Sequence, residues 1–297
     1  MFILGIETTG AFASVALYKE ENAKATADAG SAKAKTLDVI HGNDRFSHLQ
    51  NLTPQIREIL ARNGLSVGDM TAIAVSHGPG SFTGIRIGVS TGRALSQVTG
   101  VPCVAVSSLE ALALRAVTVG EATAAAGADA GADSIAGGAL ICPILDARRT
   151  QVYGGGYRLE RTADGHLIPK EIVRAGSYLM DEFLDLIEDY PKVFFLGDGI
   201  DTCGEIIRER RSGDSIAFAG KEIRYQDAGT VAMLGARRFD QGKSCGYLEL
   251  QPEYMRMAEA ERKLKEKRAR EARPDVAASS QSEEAKGTGE AREGRGR

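Results

Sequence analysis

HGPGSFTGIRIG, residues His77–Gly88, decides how this chain is read. It follows the apolar run TAIAV, Thr71–Val75, and leads into a helix-prone segment, so strand, glycine loop and helix succeed one another. That succession is the signature of an α/β fold. The loop is a near miss for two phosphate motifs. A G-x-G-x-x-G fingerprint needs its third glycine one residue earlier than Gly84, and a Walker loop needs lysine where Ile85 stands. A helix N-terminus still offers free N–H groups and partial positive charge to an anion, and Arg86 adds a full charge. Spacing alone favours the plainer reading, a Pro-Gly turn joining a strand to a helix.

The helix after the loop, from about Gly84 to Val98 and closed by Gly100, carries Gly84, Gly88 and Gly92 at i, i+4 and i+8. Each glycine costs about 1 kcal/mol relative to alanine in a helix interior. A glycine face therefore implies close approach of another backbone, from the same chain or from a second protein.

Upstream, MFILGIETT and ASVALYKE read as a β-hairpin, with a weaker third strand near Lys24–Ala29. Leu49, Leu52, Ile56, Ile59 and Leu60 fall at helical spacing over Ser47–Asn63. Pro54 places the regular start close to Thr53, and Gly64 ends the helix. Downstream, VPCVAVS predicts a strand and SLEALALRAV a helix capped by Ser107 or Ser108. Gly120–Gly138 is Ala/Gly-rich and predicts an exposed, flexible insertion. A second half opens with the strand pair ALICPILDARR and QVYGGGYRL. Then come a helix over Ser177–Asp189, the strand KVFFLGDG, a helix over Thr202–Arg211, the strand SIAFA and a helix over Asp227–Gln241. Two halves that each open with a hairpin predict two related lobes. Between Met255 and Arg273 basic residues outnumber acidic ones eight to four, which predicts a solvated helix, and the chain from Pro274 predicts disorder.

The 297 residues, 43% of them apolar, suffice for one large domain or two smaller ones, and a net charge of −3 gives no overall attraction to nucleic acid or membrane. The start MFILGIE does not read as a signal peptide, and no apolar run approaches the roughly 20 residues of a membrane span. Cys103, Cys142, Cys203 and Cys245 are scattered, which argues for a reducing cytoplasm and against a disulfide framework or a zinc site.

Candidate chemistry is thin. Glu7, with Thr8 and Thr9, could hold a metal or phosphate, or could be a polar strand end. His41, His48, His77 and His166 give no HxxxH or HExxH spacing, and no GxSxG elbow is present. Asp146-Ala147-Arg148-Arg149 reads as a salt-bridged turn, with a contact between lobes as the other reading.

ILGIETTG, ASVALY, HLQNLTPQI, SHGPGSFTGIRIGVSTGRAL, VSSLEALA, ILDARRTQVY and QPEYMR, in that order from Met1 to about Glu261, resemble the TsaB (YeaZ) family. The resemblance implies the two-lobed ASKHA fold, ribonuclease H-like and shared with actin, Hsp70 and sugar kinases. On that pattern 1–109 forms the first lobe with its dimerisation helices and 110–255 the second with the 120–138 insertion. The helix over 227–241 can return to the first lobe, and 256–297 is a charged tail. It implies a non-catalytic subunit in N6-threonylcarbamoylation of the adenosine beside the anticodon in tRNA. The implied partners are a TsaD-like catalytic subunit, a TsaE-like ATPase, tRNA through the complex, and a second copy of the chain, in the cytoplasm and away from membranes. ATP and metal would belong to the catalytic partner, with none bound by this chain alone. TsaD-like chains carry HxxxH in the helix after the third strand; here only His48 stands in that region, with Leu52 four residues on.

The same pattern assigns His48, Leu52, Ile56, Gly84, Arg86, Gly88 and Gly92 to the partner interface. On it, Gly88→Leu abolishes partner binding and leaves the monomer folded. Glu7, Thr8, Thr9, Gly78, Gly80 and Ser81 become a vestigial phosphate site, Glu7 standing where many relatives have Asp. Two other readings remain: an ASKHA-type ATPase or kinase acting alone, and a peptidase.

Overall fold

The computed structural model describes residues 1–20, 35–45, 47–124, 138–163, 165–211, 213–221 and 223–255. The strand expected near Lys24–Ala29, most of the insertion and the charged tail lie outside the described residues.

The first sheet holds β1 (Phe2–Glu7), β2 (Ser14–Lys19), β3 (Lys35–His41), β4 (Ala72–Gly78) and β5 (Cys103–Ser107), in the order β3-β2-β1-β4-β5. β1, β2 and β3 pair antiparallel, and β4 and β5 join parallel. The second sheet holds β6 (Leu140–Asp146), β7 (Gln151–Arg161), β8 (Leu167–Leu179), β9 (Val193–Leu196) and β10 (Ile216–Phe218), in the order β10-β9-β6-β7-β8. Counted from its own first strand, its order and pairing senses repeat those of the first sheet. The two hairpin openings in the sequence are thus the visible part of a repeated topology, and the fold is the two-lobed ASKHA type.

The helices are α1 (His48–Arg62), α2 (Phe82–Thr99), α3 (Ser108–Ala124), α4 (Met180–Leu186), α5 (Gly199–Arg210) and α6 (Ala228–Asp240). α1 and α2 cover one face of the first sheet through Leu4, Ile6, Val15, Leu17, Ile73 and Val75. α4 and α5 cover the matching face of the second through Ile144, Val193 and Phe195. The remaining faces take exchanged helices. α3, which follows the first sheet, lays Leu109, Leu112 and Ala116 on Ile141, Leu145 and Phe194 of the second. α6, which follows the second sheet, lays Val231, Ala232 and Leu234 on Ile3, Ala16, Ala72 and Ala74 of the first.

Small residues permit that return. A Cβ on Gly5 would stand 2.9 Å from Ala232 Cβ, and one on Gly235 would overlap Ala74 Cβ. Arg115 of α3 pairs with Asp227 at the start of α6 at 2.7 Å, and Arg238 of α6 pairs with Glu110 of α3.

Several elements differ from expectation. α1 runs unbroken through Pro54, whose ring forgoes the helical bond to the Gln50 carbonyl, and the helix begins at His48 rather than near Thr53. β3, Lys35–His41, is a strand that the sequence reading did not single out. α3 continues to Ala124, into the stretch assigned to the insertion. β8 extends to Leu179, so the following helix starts at Met180 rather than Ser177; Leu179 N–H is accepted by Glu182 at 3.1 Å, which fixes the start. The turn after Asp146 is held by that carboxylate accepting the Arg148 N–H at 2.8 Å, with Arg148, Arg149 and Thr150 all at positive φ.

Candidate functional site

β1 ends at Glu7, and the turn Thr8-Thr9-Gly10 carries the chain to β2. The glycine loop and the starts of α1 and α2 all converge on this turn. His48, at the first position of α1, donates from Nε2 to the Gly10 carbonyl at 3.0 Å. Thr8 donates its hydroxyl to the Gly84 carbonyl at 2.7 Å. Ser81 N–H is accepted by the Thr9 carbonyl at 2.8 Å, and Ser81 Oγ caps α2 by accepting from Gly84 N–H.

Glu7 is wholly buried. Its Oε1 accepts from the Thr9 N–H at 2.5 Å and from the Thr9 hydroxyl at 2.6 Å. Burial pushes its carboxyl above the usual range, and the hydrogen bonds from Thr9 oppose the rise. His48 is pushed down by burial, against its bond to Gly10.

These residues do not form a phosphate cradle. A Cβ on Gly80 would meet the Thr9 carbonyl at 2.5 Å, one on Gly84 would overlap the Thr8 carbonyl, and one on Gly78 would overlap the Glu253 carbonyl. The glycines admit the chain's own backbone, and the Ser81 and Gly84 N–H groups already have protein acceptors. Thr8 and Thr9 are as buried as Glu7 is. Among the described residues, no three His, Cys, Asp or Glu side chains are placed to hold a metal ion.

The glycine face of α2 is likewise turned inward. Thr8 Oγ1 lies where a Cβ on Gly88 would stand, and a Cβ on Gly92 would meet Val75 Cγ2 at 2.6 Å. His48, Leu52 and Ile56 are also buried, the last two in the core between α1 and the sheet. The assignment of these six residues to a docking face is therefore corrected: they pack α1 and α2 onto their own sheet. Arg86 alone of the seven faces solvent.

The outer surface at the starts of α1 and α2 carries residues that the interface assignment left out. Leu49, expected in the apolar stripe, is 77% exposed, and Phe82 and Tyr254 are both exposed. Arg86 lies over the Phe82 ring at 3.9 Å and donates from Nε to Tyr254 OH at 2.9 Å, while the two rings are 4.9 Å apart. Tyr254 reaches this place because Glu253 N–H pairs with the His77 carbonyl at 2.8 Å and Leu250 is buried against α2 and the sheet. The signal for Tyr254 was its place in QPEYMR; Leu49 and Phe82 had none beyond being apolar next to a helix start.

Residues 45–264 match the family model described as TsaD: tRNA N6-adenosine threonylcarbamoyltransferase. The chain is 27% identical over 265 residues to the tRNA threonylcarbamoyladenosine biosynthesis protein TsaB of Bacillus subtilis, covering 89% of this chain and 97% of that one. It is 25% identical over 217 residues to the TsaB of Escherichia coli, covering 73% and 84%. The solved structure of YeaZ from Pseudomonas aeruginosa is similar in fold, with a TM-score of 0.59 and 22% identity over 85% of this chain and 99% of that one. With its repeated sheet topology and a match along most of its length, the chain belongs to the tRNA N6-adenosine threonylcarbamoyltransferase family, on its TsaB (YeaZ) branch.

Proposed function

We propose that this chain is the non-catalytic assembly subunit for N6-threonylcarbamoylation of the adenosine beside the anticodon in tRNA, and that it holds a TsaD-like catalytic subunit in its productive state. The observation that carries the reading is the closed end of β1. Glu7 is wholly buried, and the glycine loop that would receive phosphate is filled by the Thr8–Thr9 backbone. What this end of the lobe offers instead is an outer surface of α1 and α2 bearing Leu49, Phe82, Arg86 and Tyr254. Exposed apolar and aromatic side chains beside an arginine are the composition of a protein-docking surface.

Relatives named as tRNA threonylcarbamoyladenosine biosynthesis proteins along nearly their whole length support the pathway. They favour it over an ATPase or kinase acting alone and over a peptidase. On this reading ATP and metal belong to the partner, a TsaE-like ATPase and tRNA join through the complex, and a second copy of the chain competes for the same surface.

The test is light scattering after size exclusion on this chain, its TsaD paralogue and the mixture, with tRNA modification assayed on each. A mixed species that alone modifies tRNA is expected. Separate elution in the presence of tRNA and ATP would overturn the reading, as would ATP turnover by the isolated chain that is lost on Glu7→Ala.

A further inference from the structure

The four cysteines are far apart in sequence, yet two of them meet. Cys103, in β5, and Cys245, beyond α6, form an isolated antiparallel bridge. Cys103 N–H donates to the Cys245 carbonyl at 2.9 Å, and Cys245 N–H to the Cys103 carbonyl at 2.8 Å. Directly opposed residues that exchange both bonds have Cα atoms about 5.5 Å apart, inside the roughly 4.4–6.8 Å that a disulfide spans. Side chains so opposed lie on the same side of the ladder. Here both face α2: Cys103 Sγ approaches the Gly92 carbonyl at 3.7 Å, and Cys245 lines an open cavity of about 430 Å³ with Ser96, Gln97 and Tyr247. Cys103 is wholly buried, whereas Cys245 is partly exposed. One thiol is thus reachable from solvent and the second stands directly behind it.

We infer that Cys103 and Cys245 form a reversible redox staple, closed by low-molecular-weight disulfides of the glutathione class. The Cys245 thiolate attacks one sulfur of the small disulfide, breaking its S–S bond, forming a mixed disulfide and releasing one small thiolate. The Cys103 thiolate then attacks Cys245 Sγ, forming the protein S–S bond and releasing the second. One small disulfide is reduced to two thiols, which take up the two cysteine protons, and two protein thiols are oxidised to one disulfide.

The opposed Cβ atoms start about 4.5–5.5 Å apart, beyond the roughly 3.5–4.5 Å of a relaxed disulfide. Closing the bond must draw the two segments together. Strained bridges are the readily reduced ones, so the staple belongs to the reversible kind rather than the structural kind. Its mechanical effect is local. It fastens Ser244–Met255, the segment that buries Leu250 and brings Tyr254 to Arg86, to β5 of the first sheet. The inference does not rest on what docks at that surface.

The full chain, reduced and then incubated with oxidised glutathione, is to be digested without reduction and mapped by mass spectrometry. A peptide pair joined through Cys103 and Cys245 is expected, with loss of two hydrogens from the intact mass and full reversal by dithiothreitol. Cys103→Ala should stop at a stable glutathione adduct on Cys245. In the oxidised wild-type chain, amide exchange over Ser244–Met255 should slow. A wild-type chain that keeps the adduct, links to a second copy through Cys245, or leaves both thiols free for alkylation would overturn the inference. The wild-type map decides the matter even if the variant fails to fold.

Discussion

Thr8 donates its hydroxyl proton to the Gly84 carbonyl at 2.7 Å, and the same hydroxyl fills the space above Gly88. One residue at the end of β1 thereby ties α2 to the sheet and accounts for two of the three glycines of the α2 face, Gly88 through its hydroxyl and Gly84 through its backbone carbonyl. The glycines let the helix lie within backbone distance of β1, where any larger residue would displace Thr8.

Gly88→Ala is expected to destabilise the chain by roughly 2 kcal/mol, since overpacking and a disturbed buried hydrogen bond outweigh the helix-propensity gain of about 1 kcal/mol. Thr8→Ala in the same chain should restore part of that loss, because the two sites are in contact. Urea unfolding of the four variants of this cycle measures it; a Gly88→Ala midpoint equal to wild type would contradict the packing. Gly88→Leu should prevent the lobe from closing rather than act on partner binding alone.

Glu7 and Asp227 should give opposite pH dependences. Burial raises the Glu7 carboxyl above 4.5, its ordinary value. The folded state then holds its proton more tightly than the unfolded one. That contribution is fully present below about pH 4.5 and is lost as pH rises through the folded value. Glu7→Gln, which keeps an acceptor for Thr9, should therefore gain stability relative to wild type as pH rises above that point. Urea midpoints across pH 4 to 9 read this, and parallel curves would exclude it.

Burial also disfavours the Asp227 carboxylate, but the His41 hydrogen bond and the Arg115 guanidinium outweigh it and hold its carboxyl down to about 2, from 3.8. Its contribution is present above about pH 4 and is lost as pH falls through the folded value. Asp227→Asn should cost on the order of 2 kcal/mol at neutral pH, with the deficit shrinking in acid. Asn can still accept the Gly229 N–H that Asp227 Oδ1 accepts at 2.8 Å, so the cap is kept while the charge and the Oδ2 acceptor for Arg115 and His41 are removed. A deficit that is independent of pH would assign the effect to packing.

Leu49→Asp and Arg86→Glu change exposed side chains on α1 and α2. Leu49→Asp should shift stability by less than about 0.5 kcal/mol, Arg86→Glu should cost about 1 kcal/mol because it also removes the contacts to Phe82 and Tyr254, and each should weaken association with the TsaD-like subunit by roughly tenfold or more. Calorimetric titration paired with thermal unfolding separates the two effects. Unchanged affinity in both variants would move the docking surface elsewhere.

Two repeated α/β halves were legible along the chain. Apolar runs without alternation in FILGI and AIAV state that both faces of the first sheet are covered, which is the mark of a central strand in an α/β layer. The hairpin openings at Met1 and Ala139 announced the repeat, and the ordered motifs carried the family. What periodicity could not decide was where an inward face ends and an outward one begins. Leu49 and Leu52 both satisfy a helical stripe, but only Leu52 is buried against the sheet, while Leu49 faces outward. Nor could it say what the glycines approach. Close packing is legible from composition, but its partner is fixed by which elements the topology brings together, here Thr8 and Val75 of the same lobe. The return of α6 to the first sheet, which the family pattern alone suggested, and the meeting of Cys103 with Cys245 were likewise beyond periodicity. Both join residues far apart along the chain, and such contacts exist only once the sheets have formed.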